Sequence, residues 1–143
     1  MLARQKKLIQ DTWKQVVPIA DQAAAIFYQR LFVIDPSTRP LFNTTDMVQQ
    51  RKKLIQILSV AVSSLDNLSA LGKTVEDLGH RHASYGVKDA HYDSVGVALL
   101  WTLEQGLGSA WTPEVAAAWK EVYGLLSSIM RNAQQAARAK AAA

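Results

Sequence analysis

Three histidines, His80, His82 and His91, are the side chains of this 143-residue chain best suited to bind a metal, because it contains no cysteine. The missing thiols exclude disulfide scaffolding, thiolate catalysis, Cys-zinc sites and thiolate ligation of iron. No zinc pattern joins the histidines. HEXXH is absent, and His80 and His82, two residues apart, differ by about 200° of rotation on a helix, so at most one of them faces the interior. Spacing alone reads an isolated helical histidine as a surface or hydrogen-bonded side chain. No GxSxG elbow and no Ser/His/Asp spacing stands out, and GKT at residues 72–74 lacks the upstream glycine of a phosphate-binding loop. Tyr28 and Tyr92 fall on apolar stripes, where tyrosine is ordinarily a core aromatic whose hydroxyl reaches a carbonyl. Gln50 stands four residues before Leu54, on the same side of its helix and one turn from an apolar stripe.

The elements that must position these side chains are helices. Residues 2–17 place Ile9, Thr12, Trp13 and Val16 on one face, and Pro18 marks a break. Residues 19–34 carry Ala20, Ala24, Phe27, Tyr28 and Leu31 at three- and four-residue spacing, and Asp35-Pro36 ends that run. PSTRPLF, with two prolines in seven residues, reads as a turn or brief helical piece that delivers Leu41 and Phe42 inward. Asn43 to Asp46 offer N-caps for a long helix over about 47–64, with Leu54, Leu58, Ala61, Val62 and Leu65 as its buried stripe. Asp66, Asn67 and Gly72 bracket a connection. A helix over about 73–85 carries His80 and His82 and closes at Gly86. The next starts near Asp89 and runs through Tyr92, Val95, Leu99, Leu100 and Leu103 until Gly106 and Gly108. Thr112-Pro113-Glu114 supplies a cap, a first-turn proline and a first-turn acid for the last helix, lined by Val115, Trp119, Val122, Leu126 and Ile129.

Composition agrees. With 49% apolar and 20% charged residues the chain is a soluble, single domain over 1–143 in expectation, residues from about 134 onward being a frayed or appended tail. No run of apolar residues is long enough to span a membrane. The basic, amphipathic N-terminus lacks a secretory pattern, so a cytoplasmic location is expected. The net charge of +4 is spread out, with Arg51, Lys52 and Lys53 the one short cluster, and this argues against nucleic acid as a partner.

Taken together, FYQRLFVIDPSTRPLFN, then QRKKL, then RHASYGV followed by HYDSVG, resemble the globin family. Within it they are similar to the bacterial single-domain globins and the haem domains of flavohaemoglobins. The resemblance runs from Trp13 to about Met130 and implies an all-α fold of about seven or eight helices around one b-type haem. It implies His82 as the iron ligand, Phe42 packed on the porphyrin, and Tyr28 and Gln50 as polar groups on the ligand side. It further implies Leu54 as the apolar wall there, Tyr92 on the side of His82, and Val95 in contact with the haem.

The implied activity is reversible binding of O2 for storage or transport, stabilised by Tyr28 and Gln50. The alternative is oxidation of nitric oxide to nitrate, supported by a separate reductase, and a gas sensor is a third reading. O2, NO and other small haem ligands are the implied partners, the protein being a monomer or weak dimer. Flavohaemoglobins continue into flavin- and NAD-binding domains; no GxGxxG occurs here, so reduction of the iron is expected to come from an external reductase. Their last helix supplies a glutamate toward the iron-bound histidine, and the best-matching residue here is Gln134. A neutral amide draws less on an imidazole proton than a carboxylate does, which favours holding O2 over activating it. No internal sixth ligand stands out, Lys53 being read as solvated.

Overall fold

The computed structural model describes residues 2–84 and 86–142, with the backbone alone for residues 68–71, 80, 83, 84, 141 and 142. The facing of His80 and the helix end expected at Tyr85 therefore lie outside what is described. The described residues form six α-helices: α1 (Ala3–Val16), α2 (Ala20–Ile34), α3 (Met47–Ser63), α4 (Leu68–Ser84), α5 (Asp89–Leu107) and α6 (Pro113–Ala142). Short 3-10 segments at Val17–Ile19, Pro36–Phe42 and Gly108–Ala110 join some of them. The count falls short of seven or eight because PSTRPLF, with two amide donors removed by proline, winds as a 3-10 segment.

The helix ends follow local chemistry. Asp46 caps α3, its carboxylate accepting from the Val48 and Gln49 amides at 3.0 and 3.4 Å. The Thr112 hydroxyl accepts from the Val115 amide at 3.2 Å and opens α6. Gly86 takes a φ of +79° just after α4, a conformation that costs glycine little, and the Val87 amide returns to the His82 carbonyl at 3.3 Å.

Two boundaries differ from the sequence reading. α4 begins at Leu68 and takes Gly72 into its length, and α6 continues past residue 134 to Ala142. Ala133 and Gln134 are buried. Alanine and glutamine sustain a helix on propensity, and α4 lies along α6, so the last helix is packed further than its small side chains suggest.

Ile9, Thr12, Trp13 and Val16 all face the core, as their spacing predicts. Thr12 is polar and buried because the Trp119 indole N–H donates to its hydroxyl at 2.9 Å, while that hydroxyl donates to the Leu8 carbonyl at 2.7 Å. With the Trp13 and Trp119 rings 6.0 Å apart, this pins α1 to α6. Elsewhere α2 packs along α5, and α3 rests on α2 and α1. Among the described residues, α3 and α4 follow one another in the chain yet hardly touch, since each is held by other helices. The candidate side chains therefore fall on two walls, one built on α2 and α3 and the other on α4 and α5, which both rest on α6.

Candidate functional site

On the first wall Tyr28 projects from the buried face of α2 and Gln50 from the first turn of α3. The Gln50 amide Nε2 donates to the Tyr28 hydroxyl at 3.2 Å. Phe27 and Phe42 meet the Tyr28 ring edge-on, at 4.8 and 5.4 Å between centroids. Phe32 lies 5.6 Å from Phe42 and completes the aromatic group. The sequence reading passed over Phe32, although it stands four residues after Tyr28. Burial pushes the Tyr28 hydroxyl up to about 12, against a smaller opposing effect of the Gln50 hydrogen bond. Tyr28 is thus a protonated phenol whose oxygen already accepts one bond, so its own proton is available to another acceptor. Leu54, one turn beyond Gln50, is half-buried against the core.

On the second wall the His82 Nδ1 lies 3.3 Å from the Tyr92 hydroxyl. Tyr92 donates to Gln134 Oε1 at 2.7 Å, and Gln134 Nε2 donates to the Val87 carbonyl. This order of donors fixes the tautomer. Because the Tyr92 proton goes to Gln134, its oxygen accepts from His82, so the imidazole proton sits on Nδ1 and the ring lone pair on Nε2. Burial is the main cause that pushes His82 down to about 4, and the neighbouring Arg81 charge acts in the same direction. His82 is therefore neutral near pH 7, the form that ligates a metal. Tyr92, raised to about 12 chiefly by burial, stays protonated. The Tyr123 hydroxyl donates to the Tyr92 backbone carbonyl at 2.5 Å and anchors this part of α5 to α6.

His91 belongs to neither wall. Its Nδ1 accepts from the Lys88 amide at 2.9 Å, and its Nε2 lies 3.2 Å from the Ser37 hydroxyl. It caps α5 and ties that helix to the turn after α2. There the Ser37 and Ser94 hydroxyls hold the Asp35 carboxylate below its usual range. Among the described residues, no group of three or more His, Asp or Glu side chains is placed to hold a metal.

A family model for Globin matches residues 25–130, which include Tyr28, Phe42, Gln50, Leu54, His82, Tyr92 and Val95. This chain is a globin. It is 33% identical over 120 residues to a flavohaemoprotein of Bacillus subtilis, covering 80% of this chain and 30% of that protein. A flavohaemoprotein of Vibrio cholerae is 32% identical over 122 residues, covering 81% of this chain and 31% of that one. For a flavohaemoprotein of Rhizobium meliloti the identity is 32% over 106 residues, with shares of 73% and 26%. The globin thus spans under a third of the curated relatives it matches. A crystal structure of a hexacoordinated haem protein from an anhydrobiotic tardigrade superposes with a TM-score of 0.87. That match covers 94% of the globin and 96% of the other chain at 18% identity, a likeness of fold.

The residues present suit a haem. Phe42, Leu54 and Val95 are apolar and pack against the core, yet each is only half-buried, as are Met47, Leu78, Val87 and Leu100. Apolar side chains left partly uncovered are what a flat apolar cofactor would cover. His82 would hold the metal from one wall, and the Tyr28–Gln50 pair would stand on the other. Gln134 lies beyond the matched span, in α6, and is linked to His82 through Tyr92.

Proposed function

We propose that this globin carries haem b with His82 as the axial ligand and reversibly binds O2 beside Tyr28 and Gln50. The observation that carries the proposal is the Gln50-to-Tyr28 hydrogen bond of 3.2 Å, which orients a buried, protonated phenol with its proton still to give. With no cysteine in the sequence there is no thioether attachment, which favours a non-covalent, b-type haem. When bound, haem supplies a redox-active iron that shares electron density with a diatomic ligand. Tyr28 would donate to such an electron-rich ligand, Gln50 would hold the phenol in place, and Leu54 with the aromatic group would keep water away.

A hydrogen bond to a charged partner is worth about 1.5–3 kcal/mol, or roughly 10- to 150-fold in affinity. In stopped-flow measurements Tyr28→Phe should therefore speed O2 release by roughly 10- to 150-fold. Gln50→Leu should do so by a smaller factor, and CO release should change little in either. Unchanged O2 release in both variants would end this reading of the pocket.

On the side of His82, the neutral Gln134 amide accepts from Tyr92 through its oxygen and donates through its nitrogen to the Val87 carbonyl. An uncharged acceptor at that place draws weakly on the imidazole proton, which favours holding O2 over cleaving it. The likeness to flavohaemoproteins supports a second reading, dioxygenation of nitric oxide with electrons from an external reductase. Sustained NO-dependent NADH consumption with a reductase would establish it, and a single turnover ending in stable ferric protein would favour storage. We place either activity in the cytoplasm, in a monomer or weak dimer without nucleic-acid partners. No helix among the described residues is long and apolar enough to cross a membrane.

A further inference from the structure

We infer that Arg131 is a positioning residue that sets, through Tyr92, how strongly His82 donates to a bound iron, an inference that rests on His82 being the axial ligand. Arg131 extends from α6 across Tyr92, its guanidinium carbon 5.2 Å from the ring centroid. One end of the guanidinium is held by Asp93, Nη2 donating to Oδ1 at 2.7 Å. Its Nε is buried without a hydrogen-bond partner among the described residues. The Arg131 side chain is 29% exposed, so solvent screens its charge only in part. Arg138 donates to the Val87 carbonyl at 2.6 Å and acts on the same phenol with the same sign as Arg131, Asp89 acts on it with the opposite sign, and Arg81 bears on His82 itself.

Two effects of Arg131 have the same direction. A cation over the ring draws electron density from the phenol oxygen, which weakens it as the acceptor of the His82 Nδ1–H. A less strongly accepted proton leaves the imidazole less anionic, and a less anionic ligand favours the lower oxidation state of the metal. The guanidinium charge, partly offset by Asp93, also disfavours a more positive centre directly. Arg131 and Asp93 thus form a pair with opposite influence on one ligand.

The test uses haem-loaded protein, with spectroelectrochemical titration and resonance Raman of the iron–histidine stretching band. Arg131→Met should shift the ferric/ferrous ratio at fixed potential by about threefold toward ferric and raise the band's frequency. Asp93→Asn, whose amide oxygen can still accept from Arg131, should move both readouts the other way. Arg131→Lys, which keeps the charge, should retain most of the wild-type behaviour. Shifts of the two substitutions in the same direction, or a band that stays still, would overturn the inference. If Arg131→Met fails to fold, the direction seen in Asp93→Asn decides alone. Failure of the axial assignment itself is read separately, as wild-type protein with a Soret band but no iron–histidine band.

Discussion

Replacing His82 with alanine is expected to weaken haem retention by more than the roughly 10- to 100-fold that loss of an outer-shell partner costs, while the helices remain. The rate of Soret-band transfer to an excess of a haem-acceptor protein measures this. Wild-type retention in His82→Ala would remove His82 as the iron ligand. The same substitution should make the haem-free protein more tolerant of acid. In the fold His82 is pushed down to about 4, whereas an unfolded histidine titrates near 6.5. As pH falls below about 6.5 the unfolded chain takes up a proton that the folded chain does not. Stability is therefore full above that pH and is lost toward pH 4, by up to about 3 kcal/mol. Urea denaturation of the two apoproteins at pH 7 and pH 4.5 should show a smaller loss in His82→Ala.

The second large effect is at Gly79, one turn before His82. A Cβ there would lie 2.6 Å from the Met130 carbonyl oxygen and 2.9 Å from Met130 Cα and Ala133 Cβ. Backbone cannot move aside as a flexible side chain can, so α4 must lift from α6. Gly79→Val is expected to cost about 2–3 kcal/mol and lower the melting temperature by roughly 5–10 °C. Because α4 carries His82 toward Tyr92, haem loss should also accelerate. At Gly72, in the same helix, an added Cβ would meet nothing within 4 Å, so Gly72→Ala should stabilise by up to about 1 kcal/mol. Thermal melts of both variants check the contrast, and equal effects would show that close packing at Gly79 does not hold α4 in place.

Much of the fold was legible locally. Ile9, Thr12, Trp13 and Val16 are all buried, α3 and α5 span their periodic runs, and Asp46 and Thr112 cap where their positions suggested. These features depend on residues within one or two turns of each other, a range over which side-chain type decides backbone conformation. The start of α4 was misplaced because Gly72 looks like a break, although a glycine inside a helix costs only about 1 kcal/mol. The length of α6 was missed for the converse reason: AQQAARAK has no apolar stripe, and the burial of its first two residues, Ala133 against Gly79 and Gln134 against Tyr92, comes from other helices.

For the histidines, composition and spacing left three candidates, with at most one of His80 and His82 facing the interior, and showed that no thiol or zinc pattern competed. The globin resemblance pointed to His82. Only the tertiary structure decided what surrounds it: Tyr92 meets Gln134 from 42 residues away, and Gln50 meets Tyr28 from 22. It also placed His91 at a helix cap and Arg131 over the Tyr92 ring. Such contacts depend on how helices cross, which is set by close approaches such as Gly79 on Met130 and by the Trp119–Thr12 bond. Crossing geometry is a property of paired surfaces, so the periodicity of either helix alone does not contain it.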